Sequence, residues 1–219
     1  MTSYTELVRV PEHILAEARE LVDWMGATTA DLPFPSTDRF KAAATCFAIV
    51  QEHHDSIVVL AEHRLFATCF ALVRVAFDAY VRGVWLSLCA SEEWVRRFIA
   101  LEDPPNMVDL LKAIEKHPDF EDGHLSRYKA AAYKALCDLT HTGGRQVRQW
   151  DKGNAIEPDY RVEEILEAIH VSQSFAMLSV LGVITLVDDT DIALAAIAEF
   201  EAVRRRYIPM PTDQPVTSA

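Results

Sequence analysis

The stretch FATCFALVRVAFDAYVRGVWLSLCA, residues 66–90, leaves the chain around it few options. Placed on a helix, it is apolar around most of its circumference, through Phe70, Leu72, Val73, Val75, Phe77, Tyr80, Val84 and Leu88. A helix apolar on so many sides is buried, in lipid or in the centre of a bundle. Arg74, Asp78 and Arg82 decide between the two, because charges at mid-membrane depth are costly. The stretch is the central helix of a protein interior. Its three charges recur every four residues and share one narrow stripe.

The rest of the chain has to wrap that helix, and it is written in the same period. Apolar residues recur at spacings of three and four, with no convincing alternation of the strand type. Gly is scarce, at 7 of 219 residues. The expected fold is all-α: a single-domain bundle of five or six long helices with two short ones on one side, over residues 1–208. Helices are expected at about 5–25, 38–64, 66–90, 92–102, 106–116, 123–141, 160–187 and 190–206, with an irregular connection from 142 to 159. Asp38 is the expected cap of the second. The tail at 209–219, with Pro209, Pro211 and Pro215 and few anchors, is expected to be disordered. FAMLSVLGVITLV, residues 175–187, is too short an apolar run to cross a bilayer and reads as a second core helix.

Charge and cysteine usage narrow the function classes. A formal charge of −12 argues against broad adhesion to nucleic acid or to an anionic membrane. Cys46, Cys69, Cys89 and Cys137 form no CxxC pair and sit in apolar runs, as reduced thiols of a cytoplasmic protein would. No secretory leader pattern opens the sequence. Neither EHHD at 52–55 nor His63 offers a trustworthy metal spacing, and Gly-rich phosphate loops and nucleophile motifs are lacking, so no metal or cofactor is expected.

Two places carry polar groups out of pattern. His54 interrupts the apolar stripe of Phe47, Val50, Ile57 and Ala61. If the second and third helices form an antiparallel hairpin about residue 64, position 54 lies opposite position 74. That geometry predicts one pocket holding His54, Arg74, Asp78 and Arg82, in which Asp78 neutralises one guanidinium and the other seeks an anion. A wet edge for the charged row, and a satisfied core histidine at 54, are the plainer alternatives. The second place is DLTHTGGRQVRQW, residues 138–150. Asp138 lies three residues before His141, close enough to orient its imidazole, and Gly143 and Gly144 are suited to ending a helix. Helix termination does not account for Arg145, Gln146 and Arg148, which suit an anion or phosphate. This loop is expected to close over the pocket.

HDSI, RVAFDAYVRGVWL and DLTHTGGRQV together resemble a group of uncharacterised bacterial all-helical domains of unknown function, over about residues 40–150. The group's Arg, acidic residue and Arg-Gly-x-Trp are matched by Arg74, Asp78, Arg82, Gly83 and Trp85. Its Thr-His-x-Gly with a downstream Gln is matched by Thr140, His141, Gly143 and Gln146. A more distant similarity is to HEPN-type bundles, some of them ribonucleases, although their Arg-to-His spacing is missing here. The resemblance implies an up-and-down helical core and is compatible with a homo-oligomer. Two functions follow as expectations. One is a binding or regulatory module, in a defence or toxin–antitoxin setting, holding an anionic small molecule or a partner protein through His54, Arg74, Asp78, Arg82, Trp85, Gln146 and Arg148. The alternative is a HEPN-like ribonuclease acting on RNA, with His141 as acid/base, Asp138 orienting it and Arg145 or Arg148 stabilising the phosphorane.

Overall fold

The computed structural model describes residues 8–33 and 35–207. Among them the chain is all-α, with α1 (Glu12–Thr29), α2 (Asp38–Glu62), α3 (Phe66–Leu88), α4 (Glu92–Ile99), α5 (Met107–Ile114), α6 (His124–Thr140), α7 (Gly144–Arg148), α8 (Val162–Ile184) and α9 (Thr190–Tyr207). Six helices are long and two of the others, α4 and α5, are the expected short pair. The expected tail at 209–219 lies outside the described residues.

Helix α1 runs to Thr29, past the expected end near residue 25, and three further details differ from the sequence expectation. Helix α1 begins at Glu12, because Pro11 occupies the cap position, where its missing N–H is no loss. Helix α2 is capped by Thr37, whose Oγ1 accepts from the Phe40 N–H at 3.3 Å, while Asp38 takes the first helical position. The connection after α6 is not wholly irregular, since it folds into the single turn of α7.

The break between α2 and α3 has neither Gly nor Pro, and its mechanism is backbone geometry. Arg64 takes a left-handed φ of 60°, and the Leu65 N–H returns to the Leu60 carbonyl at 2.8 Å. The same six-to-one closure recurs at Leu101 (φ 67°) and at Thr142 (φ 54°), where the Gly143 N–H reaches the Asp138 carbonyl at 2.7 Å. Gly143 is therefore not the left-handed residue of its turn. A side chain is excluded there for another reason: a Cβ would stand 2.6 Å from Asp138 Oδ1 and 3.0 Å from its Cα.

Helices α2, α3 and α8 meet at the Phe47 ring, which is 1 % exposed. A Cβ on Gly83 of α3 would lie 2.7 Å from that ring, and one on Gly182 of α8 would lie 2.6 Å from it. The two glycines let three backbones close around one aromatic side chain. Around this centre α1 covers α2 and α8, α9 lies on α8, α5 lies under α3, and α6 covers the side of α3 that carries the charged row. Helix α8 is long and apolar enough to cross a membrane by length and composition, and most of its apolar window is buried inside the bundle.

Candidate functional site

Helices α2 and α3 pack against each other across the tight turn at Arg64 as expected, but His54 does not join the charged row. It is fully buried, and its Nδ1 lies 2.9 Å from Ser172 Oγ on α8. The Ser172 hydroxyl gives its one proton to the Ile169 carbonyl at 2.9 Å, so it can only accept from the imidazole. This arrangement puts the proton on Nδ1 and leaves Nε2 with a lone pair, buried and without a partner. Burial pushes the imidazole pKa down to about 4, so it is neutral near pH 7. The pocket predicted from His54, Arg74, Asp78 and Arg82 does not form, because the stripe of α2 that carries His54 turns toward α8 while α6 covers the row.

The row itself is partly buried and gains different neighbours. Arg74 Nε lies 3.7 Å from Asp78 Oδ2, with the two side chains 19 % and 10 % exposed. Tyr133 of α6 bridges them, accepting from Arg74 Nη2 at 3.3 Å and donating to Asp78 Oδ1 at 3.1 Å. The Arg74 guanidinium also sits 5.1 Å from the Tyr133 ring centre, with Lys129 Nζ 5.3 Å from the same ring. Burial raises the Asp78 pKa above the usual carboxylate range, opposed by Arg74, Tyr133 and Arg82. Arg82 is half-buried and makes no ion pair among the described residues, although its charge is felt at Asp78 and Cys46. Trp85 is 4 % exposed and packs edge-on against Trp94 at 6.0 Å, which makes it a core residue rather than a ligand contact.

His141 is the link between this row and the later motif. Its Nε2 lies 2.5 Å from Arg74 Nη1. A guanidinium can only donate, so His141 Nε2 accepts, and its hydrogen bond goes to Arg74 rather than to Asp138. The Asp138 side chain makes no hydrogen bond or ion pair among the described residues. The loop was expected to close over a pocket that does not form; His141 instead contacts the charged row directly at Arg74.

Helix α7 is anchored on one side and uncommitted on the other. Gln146, 7 % exposed, donates through Nε2 to the Tyr160 hydroxyl at 2.7 Å, and Trp150 Nε1 donates to the same oxygen at 3.0 Å. The Tyr160 ring stacks on Phe70 at 5.2 Å and meets Phe66 edge-on at 5.7 Å, which ties α7 to α3. Arg145 and Arg148, one turn apart, are exposed and make no ion pair or hydrogen bond through their side chains among the described residues. Arg145, Gln149 and Glu164 line a groove between α6 and α8, of about 370 Å³, floored by Ala132, Ala135 and Leu139. The same three residues line a second depression, of about 530 Å³, with Arg148, Gly144 and Asp138. His141 lines neither of them, and nor does Arg74.

Two tyrosines and a serine that organise these sites were not singled out in the sequence. Tyr133 carried a readable signal, since a tyrosine ring packed on the core, here against Phe77, needs a polar partner for its hydroxyl. Ser172 and Tyr160 gave none, as their partners are remote or depend on the turn of α7. The thiols are free, and burial lifts Cys46 to about 11 and Cys69 to about 12, which keeps both protonated.

The chain matches the model of a family of unknown function, DUF6988, over residues 47–207. The chain belongs to this family. The match begins at Phe47, the ring around which α2, α3 and α8 close, and it takes in every site residue described above. No curated protein and no solved structure matches the chain.

Proposed function

We propose that this member of DUF6988 is a binding module that holds an anionic group, a phosphate or carboxylate, against the outer face of α7. The observation that carries this reading is the state of its arginines. Arg19, Arg39, Arg74, Arg97, Arg161 and Arg204 have a carboxylate partner within the chain, whereas Arg64, Arg82 and Arg96, like Arg145 and Arg148, have none among the described residues. What sets Arg145 and Arg148 apart is that they stand one turn apart and line one depression together. Acidic residues outnumber basic ones by 33 to 21, yet Arg145 and Arg148 stay unpaired side by side at a groove. Their forked donors suit the oxygens of a phosphate or carboxylate. The row at Arg74 is a weaker candidate for a ligand, because Asp78, Tyr133 and His141 already meet its guanidinium. The ribonuclease reading has less support, since His141 is engaged by Arg74 and lies outside the groove that Arg145 and Arg148 border.

The test is a thermal-shift panel of inorganic pyrophosphate, nucleoside phosphates and dicarboxylates, run on the wild type and on the double variant Arg145→Ala, Arg148→Ala. The reading expects at least one anion to raise the wild-type Tm by several degrees and to leave the double variant unmoved. No shift across the panel, or an equal shift in the double variant, overturns it.

A further inference from the structure

The other flank of α7 carries a second groove of opposite character. Ala67 from the first turn of α3, Val147, Trp150 and Ile156 form its walls, in a space of about 620 Å³. Val147 is 56 % exposed and Ile156 88 % exposed, so the apolar walls stand open to solvent. The polar groups among the lining are Thr142, Gln146 and Asp151. None of them is cationic. The Asp151 carboxylate accepts the Gly153 N–H at 2.8 Å and has no ion-pair partner among the described residues, while nearby Lys152 is taken by Glu157 and Asp159.

An open apolar groove, an indole wall and an unpaired carboxylate select one kind of occupant by charge complementarity. We infer that this groove binds a small organic cation: an ammonium carried on an apolar or aromatic body. The body would lie along Val147, Trp150 and Ile156, where removal from water drives association. The ammonium would be held toward Asp151, with the indole face a further source of attraction. An anionic analogue of the same shape would meet the carboxylate with like charge and no compensating donor. This site is independent of the anion site at Arg145 and Arg148, which the groove does not include.

Amide NMR of the whole chain, titrated with phenethylammonium and with its isosteres phenethyl alcohol and hydrocinnamate, tests the inference site by site. The expected result is a saturable set of shifts at Val147, Trp150 and Ile156 with phenethylammonium, with a Kd on the order of 1 mM. The neutral and anionic isosteres should bind about tenfold more weakly. Asp151→Asn should bring the three ligands to within about threefold of one another, and Ile156→Ala should weaken all three. Arg145→Ala should leave the titration unchanged, which separates it from the anion site. Equal affinity for all three probes in the wild type, shifts centred elsewhere, or cation selectivity that survives Asp151→Asn would overturn the inference.

Discussion

His54 and Arg74 break the same rule, a polar side chain on a helix built for a dry interior, and the structure resolves them in opposite ways. His54 is closed off. It is neutral, it has one hydrogen bond to Ser172, and it sits at the interface of α2 with α8. Arg74 keeps its charge at the edge of the bundle, where Asp78, Tyr133 and His141 share it across α3, α6 and the turn into α7. The difference lies in what covers each helix face. A long helix of the central bundle leaves room for one small neutral polar pair, whereas the end of α6 leaves an open corner in which a charge can be hydrogen-bonded and still reach water. Function is proposed next to that corner, on α7, which His141 ties to the charged row.

The contrast is most exposed to acid. His54 has a folded pKa of about 4 against an ordinary 6.5, so the unfolded chain takes up its proton first. Its contribution to stability is complete above about pH 6.5 and declines as pH falls toward about 4. The loss over that window should be about 3 kcal/mol, with a smaller share in the same direction from half-buried His53. Urea unfolding at a series of pH values should show this slope, and His54→Leu should flatten most of it. A slope unchanged in the variant would remove the closed-off histidine from the account.

Removal of a partner from the open corner comes next in size. Asp78→Ala leaves a partly buried guanidinium without its carboxylate and should cost about 2 kcal/mol, below the full range for deeply buried pairs because Arg74 reaches solvent. Tyr133→Phe removes only the bridging hydroxyl and should cost about 1 kcal/mol. A double-mutant cycle between the two should show coupling, because the Tyr133 hydroxyl donates to Asp78. Independent, additive losses would mean that the three residues are neighbours rather than a network.

The smallest effect has the opposite sign. Thr142 holds a left-handed φ with a side chain in place, at the hinge between α6 and α7. Thr142→Gly should raise stability by about 0.5 kcal/mol, as relief of the strain is partly offset by a freer unfolded chain. Arg64→Gly, at the equivalent turn after α2, should behave alike. A loss of stability at both positions would show that the side chains do more than fill a turn.

The fold was legible because period and composition act locally. The spacing of Phe47, Val50, Ile57 and Ala61 sufficed to place α2, and the charges in α3 sufficed to reject a membrane span. The turn at Arg64 could be inferred only from length, since left-handed Arg has no sequence signature. The site was half legible. Out-of-pattern residues marked His54, the Arg74–Asp78 row and the α7 motif, but their partners depend on how each helix is rotated. A hairpin register puts position 54 beside position 74 along the axis and says nothing of which neighbour each side chain faces. Ser172, 118 residues from His54, could not be paired with it from a pattern of threes and fours.

Side-chain NMR of the histidines near pH 7.5, in the wild type and in Arg74→Ala, bears on the contrast most directly. His54 should carry its single proton on Nδ1 and stay a neutral imidazole, without taking up a second proton, well below the range in which an exposed imidazole titrates. Arg74→Ala should shift the His141 nitrogens and leave those of His54 untouched. A His54 that gains a second proton in the ordinary range, or that responds to loss of Arg74 while His141 does not, would contradict the contrast.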